Sequence, residues 1–324
     1  MEYYLNRGYS LVNDCYNRDR LIETKLNNKI TMVEKNSKAK ASSEKTSKDC
    51  NSKKCSNCGK DIILLDAKLC PYCGSPLSET ETKKNVENTV VATPKVFTVK
   101  GVSFTMIPVQ GGTYTMGAAE NDSDAYDNEK PAHKETVADF MIGETLVTQE
   151  LWKAVMGNSL WKAVMGINPS HFKRDGSRPV ECVSWDDCQK FITKLNQLTG
   201  QFFRLPYEAE WEYAARGGNK SKGYKYAGSN DEYAVAWVDY NSEKKTHPVK
   251  TKKPNELGIY DMSGNVWEWC QDKYSEDYES PRNGTFRVLR GGSWNLNARF
   301  VRVSSRIYFD PGNCDNSGGL RLAL

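Results

Sequence analysis

The sequence predicts an α+β domain with much irregular structure, preceded by a small unit of different composition. Three observations carry this reading. From Pro94 to the last residue, short strand-like runs and glycine-rich turns alternate with a few helical stretches. Two polar tracts without hydrophobic periodicity, 35–54 and 78–90, interrupt the first third, and two closely spaced cysteine pairs lie between them. At 324 residues the chain exceeds what one compact core needs, so the expected order is a polar tail over 1–52, a small unit over 53–77, a linker over 78–96 and the main domain over 97–324.

Composition narrows the function classes. Only 38% of residues are hydrophobic, mean hydropathy is −0.68, and no run approaches the roughly 18 apolar residues of a membrane-spanning helix. Residues 1–96 hold 17 Lys and Arg against 12 Asp and Glu, whereas the remainder is slightly acidic. A main domain built to bind nucleic acid would carry its own basic excess, so that role is not expected. The first residues lack the basic start and continuous apolar run of a secretory signal, and a cytoplasmic location is expected, with the ten cysteines serving as thiols or metal ligands.

The small unit is read from Cys55-Ser-Asn-Cys58-Gly and Cys70-Pro-Tyr-Cys73-Gly. Each knuckle presents two thiolates at a separation suited to tetrahedral zinc, and the following glycine permits the tight turn. Ile62, Ile63, Leu64 and Leu65 are too few for a metal-free core, so a structural zinc ribbon is expected. Four thiolates leave the metal no open position for chemistry. Cys182 and Cys188, flanked by apolar residues, are expected to be buried thiols.

In the main domain, 96–99 and 104–109 alternate as strands, and Gly111-Gly112 after the second suggests a hairpin there. Ser184-Trp-Asp-Asp187 forms a capping-box pattern, after which Cys188, Phe191, Ile192, Leu195 and Leu198 recur at helical spacing up to Gly200. A second helix is expected over 206–216. Leu151-Trp-Lys-Ala-Val-Met-Gly157 recurs as Leu160-Trp-Lys-Ala-Val-Met-Gly166. A nine-residue offset turns the second copy to the opposite side of a continuous helix, so Gly157 is expected to interrupt it.

A family resemblance rests on motifs in order: Met106-Ile-Pro-Val-Gln-Gly-Gly-Thr-Tyr-Thr-Met-Gly117, Glu129-Lys-Pro-Ala-His133, Arg204-Leu-Pro-Tyr-Glu-Ala-Glu-Trp-Glu-Tyr-Ala-Ala-Arg216, Asn255-Glu-Leu-Gly-Ile-Tyr-Asp-Met-Ser-Gly-Asn-Val-Trp-Glu-Trp269 and Arg290-Gly-Gly-Ser-Trp294. Over nearly all of 97–324 the chain resembles the formylglycine-generating enzyme (sulfatase-modifying factor) family. The resemblance implies a C-type-lectin-like α+β fold. It also implies a calcium ion held by the side chains of Asp261 and Glu268 and the carbonyls of Gly264 and Val266, a loop that by itself reads as an oxygen-rich turn. At the position of Tyr207 the family usually has Thr, so the helix that follows is expected to lack a side-chain cap.

The family's copper chemistry is not expected here. Its two metal-binding cysteines match Leu296 and approximately Val301, neither of which carries a donor. Ser293 matches an active-site serine and is the one weak catalytic candidate, without an adjacent base. Some relatives lacking these cysteines are bacterial proteins whose C-terminal segment is diversified by retroelements. Residues 281–324 contain no Lys, Glu, Gln or Met, as adenine mutagenesis of Asn codons would leave them with Trp294 outside the mutated codons; an undiversified Arg/Asn/Ser-rich end has the same composition. The expectation is a non-catalytic module that presents Leu296, Phe300, Ile307, Tyr308 and Phe309 to a protein or small-molecule ligand, with a sulfatase-modifying oxidoreductase or other metal-dependent enzyme of the same family as the alternative. Alternation would bury Val301 and Val303 and leave Tyr308 and Phe309 in a following loop.

Overall fold

The computed structural model describes residues 93–157, 168–278, 280 and 283–324, together with the pairing of Lys53–Lys54 against Asp61–Ile62. The chain divides into two compact units, one containing 92–324 and the other 23–91. The cysteines of the expected ribbon, Cys55, Cys58, Cys70 and Cys73, and the second copy of the repeat lie outside the described residues.

The larger unit begins with β1 (Lys95–Val99), two residues inside the segment read as linker, and β2 (Val102–Val109). These pair antiparallel through Lys100 and Gly101, both at positive φ (48° and 85°), the backbone twist that a two-residue hairpin demands. The hairpin expected at Gly111-Gly112 is therefore misplaced. Those glycines lead into β3 (Gly112–Met116), which pairs with β4 (His133–Val137), while β2 takes β5 (Phe140–Gly143) on its other edge. Gly111 permits this close approach, because a Cβ there would lie 2.4 Å from the Val137 carbonyl oxygen.

Thr148 caps α1 (Gln149–Met156) by accepting the Leu151 N–H, and the first copy of the repeat buries Leu151, Trp152, Val155 and Met156. The helix ends at Met156, before Gly157. In α2 (Trp185–Thr199) the capping box forms as the sequence predicts: Ser184 Oγ accepts the Asp187 N–H at 3.1 Å, and Gly200 closes the helix at φ 67°. Cys188, Phe191, Ile192 and Leu195 are buried, and Trp152 stacks on Phe191 at 4.8 Å, joining the two helices. Leu198 departs from the expected face and stays exposed. Cys182 is buried as well.

Among the described residues the remaining α-helices are α3 (Glu208–Ala215) and the single turn α4 (Glu232–Val235). Before α3, the Tyr207 N–H donates to Glu210 at 2.9 Å and the Arg204 guanidinium lies 5.0 Å from the Tyr207 ring centre. No side-chain cap bond comes from the tyrosine.

The second sheet holds β6 (Trp267–Lys273), β7 (Arg287–Arg290), β8 (Arg306–Phe309) and β9 (Gly318–Gly319) in the order β8-β7-β6-β9, with only β6 and β9 parallel. One of its faces gives Trp269 and Leu289 to the cluster that contains α1 and α2, and the other gives Val288 to the cluster around α3. Among the described residues, no helix is long and apolar enough to cross a membrane.

Candidate functional site

The C-terminal segment is fastened by buried charge. Arg290, Arg302, Arg306 and Arg321 are at most 1% exposed, and Glu129, Glu208, Glu212 and Glu268 are fully buried. Each arginine has one of these glutamates as its nearest carboxylate, while Glu212 also holds Arg216 at 2.7 Å and Arg290 lies 3.9 Å from Glu208. Arg302 clasps Glu129 at 2.5 and 2.7 Å, Arg306 clasps Glu208 at 2.7 and 3.0 Å, Arg321 clasps Glu268 at 2.8 Å through two nitrogens, and Arg290 meets Glu212. Arg290 also donates to the carbonyls of Val303, Ser304 and Ser305, so one guanidinium holds the whole turn before β8. A guanidinium fork suits such sites because it satisfies a carboxylate bidentately with donors left for backbone oxygens.

Between these fastenings the chain surfaces. Asn295, Arg299, Tyr308, Phe309, Asp310, Gly312 and Asn313 are exposed. The loop after β8 is braced from beneath: Cys182 N–H donates to the Asp315 carbonyl at 2.8 Å, and Trp294 Nε1 donates to the Asn316 carbonyl at 2.9 Å. Phe172 meets the Trp294 ring edge-on at 5.4 Å.

The five residues expected to form one patch do not. Leu296, Phe300 and Ile307 are half-buried and pack against the main core, and Phe300 also stacks on Tyr126 at 5.6 Å. Tyr308 and Phe309 are 40% and 37% exposed, but they belong to strand β8 and not to a loop. Successive strand residues point to opposite faces. Tyr308 therefore sits over Tyr274 and beside Phe286, whereas Phe309 lies opposite Arg287, whose guanidinium covers Trp185 at 3.9 Å. Val301 and Val303 are buried as alternation predicts.

Ser293 is buried and its Oγ donates to Asn295 Oδ1 at 2.7 Å; no base is bonded to it. Nor do the calcium candidates fit a cation as they are arranged. Glu268 receives Trp211 Nε1 at 2.8 Å in addition to both Arg321 nitrogens, so a dication would have to share the carboxylate with a guanidinium. Asp261, in left-handed backbone at φ 58°, accepts the Lys250 N–H at 2.9 Å, and burial pushes its carboxyl up to about 6. Gly264 is packed against Trp237, where a Cβ would lie 2.3 Å from the carbonyl oxygen. Among the described residues, no three His, Cys, Asp or Glu side chains converge on a point that could hold a metal ion.

Sequence reasoning missed the arginine–glutamate pairs. Their only signal is arginine embedded in apolar runs, as in Val301-Arg-Val303 and Leu320-Arg-Leu322.

The comparisons with known proteins agree with this architecture. Residues 93–324 match the sulfatase-modifying factor enzyme 1-like domain. "Chaperone protein LppX" of Paenibacillus barcinonensis is 33% identical over 273 residues, covering 68% of this chain and 89% of the relative. The formylglycine-generating enzyme of Streptomyces coelicolor is 28% identical over 282 residues, covering 67% and 88%. Among solved structures, Treponema denticola variable protein 1 superposes with a TM-score of 0.62 at 35% identity, over 72% of this chain and 99% of that one, and PvdO from Pseudomonas aeruginosa with a TM-score of 0.59 at 25% identity, over 71% and 97%. Through residues 93–324 this chain belongs to the sulfatase-modifying factor enzyme 1-like domain family.

Proposed function

We propose that the domain is a non-catalytic ligand-binding module whose recognition surface is carried by the exposed positions of 295–316. The observation that carries this reading is the division of that segment. Arg302 and Arg306 pin it through buried ion pairs, while Asn295, Arg299 and 308–313 reach solvent without holding the core together. Such a segment tolerates change at its exposed positions, and Tyr, Asn, Asp and Gly are what adaptable binding loops use. The absence of Lys, Glu, Gln and Met from 281–324, together with the likeness to a variable protein, supports diversification by a retroelement. A reverse transcriptase gene and a near-copy of the 3′ end beside this gene are expected under that reading, with codon variation at the exposed positions and not at the arginines.

The alternative, a sulfatase-modifying oxidoreductase, is favoured by the likeness to formylglycine-generating enzyme. Leu296 and Val301 oppose it, since neither offers a ligand to copper. Incubating the full chain with a cysteine-containing sulfatase peptide, copper and oxygen separates the two. No formylglycine is expected, and turnover of the peptide would overturn the binding-module reading. The reading further includes one structural zinc on Cys55, Cys58, Cys70 and Cys73. Elemental analysis should find one zinc per chain, lost in the Cys55→Ser/Cys70→Ser double variant.

A further inference from the structure

The sheet of β1, β2 and β5 is closed on one side and open on the other. Beyond β5 the end of the chain completes the ladder: the Met141 N–H donates to the Leu324 carbonyl and the Leu324 N–H to that of Met141, both at 2.9 Å. On the opposite side, among the described residues, β1 pairs with β2 alone. Val99 and Val102 flank a two-residue turn and so exchange both their backbone bonds. Alternation then turns Lys95 and Phe97 toward β2, and the N–H and C=O of Val96 and Thr98 outward. Thr105, opposite Val96, follows the same phase, since its carbonyl accepts the Glu144 N–H at 2.9 Å on the far side of β2. The four outward groups of Val96 and Thr98 have no partner among the described residues. Natural edge strands are usually blunted or covered, yet the Val96 side chain stands 67% exposed here.

A second, independent observation is charge. Phe97 and Val99 of the edge strand pack in one cluster with Phe191, Ile192 and Leu195 of α2. The stretches that build this side, 93–109 and 188–207, contain no Asp or Glu, although 97–324 as a whole is slightly acidic. Lys95 and Lys100 are exposed at the two ends of β1. Lys194 adds a third cation from α2. Burial, and then the Lys100 charge, lower its ammonium, which has no hydrogen-bond partner. The open edge therefore lies in a positive field without a local carboxylate to balance it.

From these groups we infer that the β1 edge binds an extended acidic segment of a partner protein as an added strand. Backbone pairing supplies the donors and acceptors that Val96 and Thr98 lack, in the manner of strand addition to an open sheet. Carboxylates at the two ends of the segment meet the exposed ammonium groups of Lys95 and Lys100, and a β-branched side chain covers Val96. A second copy of this chain suits the edge less well. Its own β1 would bring the lysines of two copies together with no acid between them, and like charges across a strand pair destabilise it.

The test titrates the full chain into a fluorescently labelled, blocked Glu-Val-Thr-Val-Glu peptide and follows its anisotropy. Lys-Val-Thr-Val-Lys serves as the charge control and Glu-Val-Pro-Val-Glu as the control that cannot complete a ladder. Saturable binding of the first peptide alone is expected. Val96→Pro removes an outward donor at a position where an edge strand accommodates proline, and should weaken binding about tenfold. Should that variant melt early, the proline peptide against the wild-type chain carries the backbone test. The Lys95→Glu/Lys100→Glu double variant changes exposed side chains only, and should lose the acidic peptide about tenfold while admitting the lysine one. The inference is overturned if the acidic peptide does not saturate, if either control peptide binds equally, or if the charge reversal leaves the preference unchanged. Sedimentation without peptide should show a monomer; a dimer that Val96→Pro dissociates would overturn the inference by making a second copy the occupant. None of these outcomes bears on the exposed C-terminal segment, so the two proposals fail separately.

Discussion

Residues 301–306 and 308–313 are neighbours in one segment, yet they answer to different physics. In the first stretch Val301, Arg302, Val303, Ser304, Ser305 and Arg306 are all buried, and each arginine is clasped by a glutamate from a distant part of the chain. In the second, Tyr308, Phe309, Asp310, Gly312 and Asn313 reach solvent, and short-range bonds such as Gly312 N–H to Asp310 at 3.0 Å stand beside backbone bonds from distant segments, such as Asp186 N–H to the Pro311 carbonyl at 3.3 Å, with no buried ion pair. The contrast teaches that a recognition segment needs both parts. A buried ion pair fixes geometry at little net gain in stability, and that rigidity leaves the adjoining loop free to change.

The largest expected effect breaks the anchoring half. Arg306→Met leaves the Glu208 carboxylate buried without its bidentate partner and should cost about 3–5 kcal/mol in urea unfolding. Adding Glu208→Leu should recover much of it, since an apolar pair of similar volume replaces a buried ion pair at little cost. Val303→Ser should cost roughly 3 kcal/mol by removing packing and burying a hydroxyl. If either single variant unfolds no more readily than wild type, the two halves do not differ as described.

A third measurement sharpens the contrast between carboxylates that hold an arginine and one that holds none. Glu268 is bonded to Arg321, whereas Asp261 relies on one backbone N–H and the Asn265 amide, and burial lifts its carboxyl to about 6 from an ordinary 3.8. A raised carboxyl favours the protonated folded form. Its contribution is therefore fully present below about pH 4 and is lost as the pH rises through 6. The stability of Asp261→Asn relative to wild type should rise by up to roughly 3 kcal/mol between pH 4 and pH 7. A bound calcium ion would keep Asp261 ionised and reverse that slope, so a reversed slope, or melts that shift on chelation, would restore the cation site.

The smallest effects belong to the exposed half. Tyr308→Ser and Phe309→Ser should each change stability by less than about 1 kcal/mol, because both rings are more than a third exposed. Severe destabilisation by both would return the strand to the core and remove the recognition surface.

Local sequence determined the local features of this protein. Ser184, Asp187 and Gly200 delimit α2, and alternation buries Val301 and Val303, because capping and strand period need only neighbours a few residues apart. The ordered motifs from Met106 to Trp294 identified the family and its α+β fold for the same reason: each is a short string of residues. The tertiary structure decided the rest. The carboxylates that neutralise Arg302, Arg306, Arg290 and Arg321 lie 173, 98, 78 and 53 residues away, and no periodicity reaches across such separations. It likewise placed Tyr308 and Phe309 on opposite faces of a strand, because pairing with β7 extends the chain where composition reads as loop. A partner strand supplies backbone hydrogen bonds that no side chain in the sequence announces.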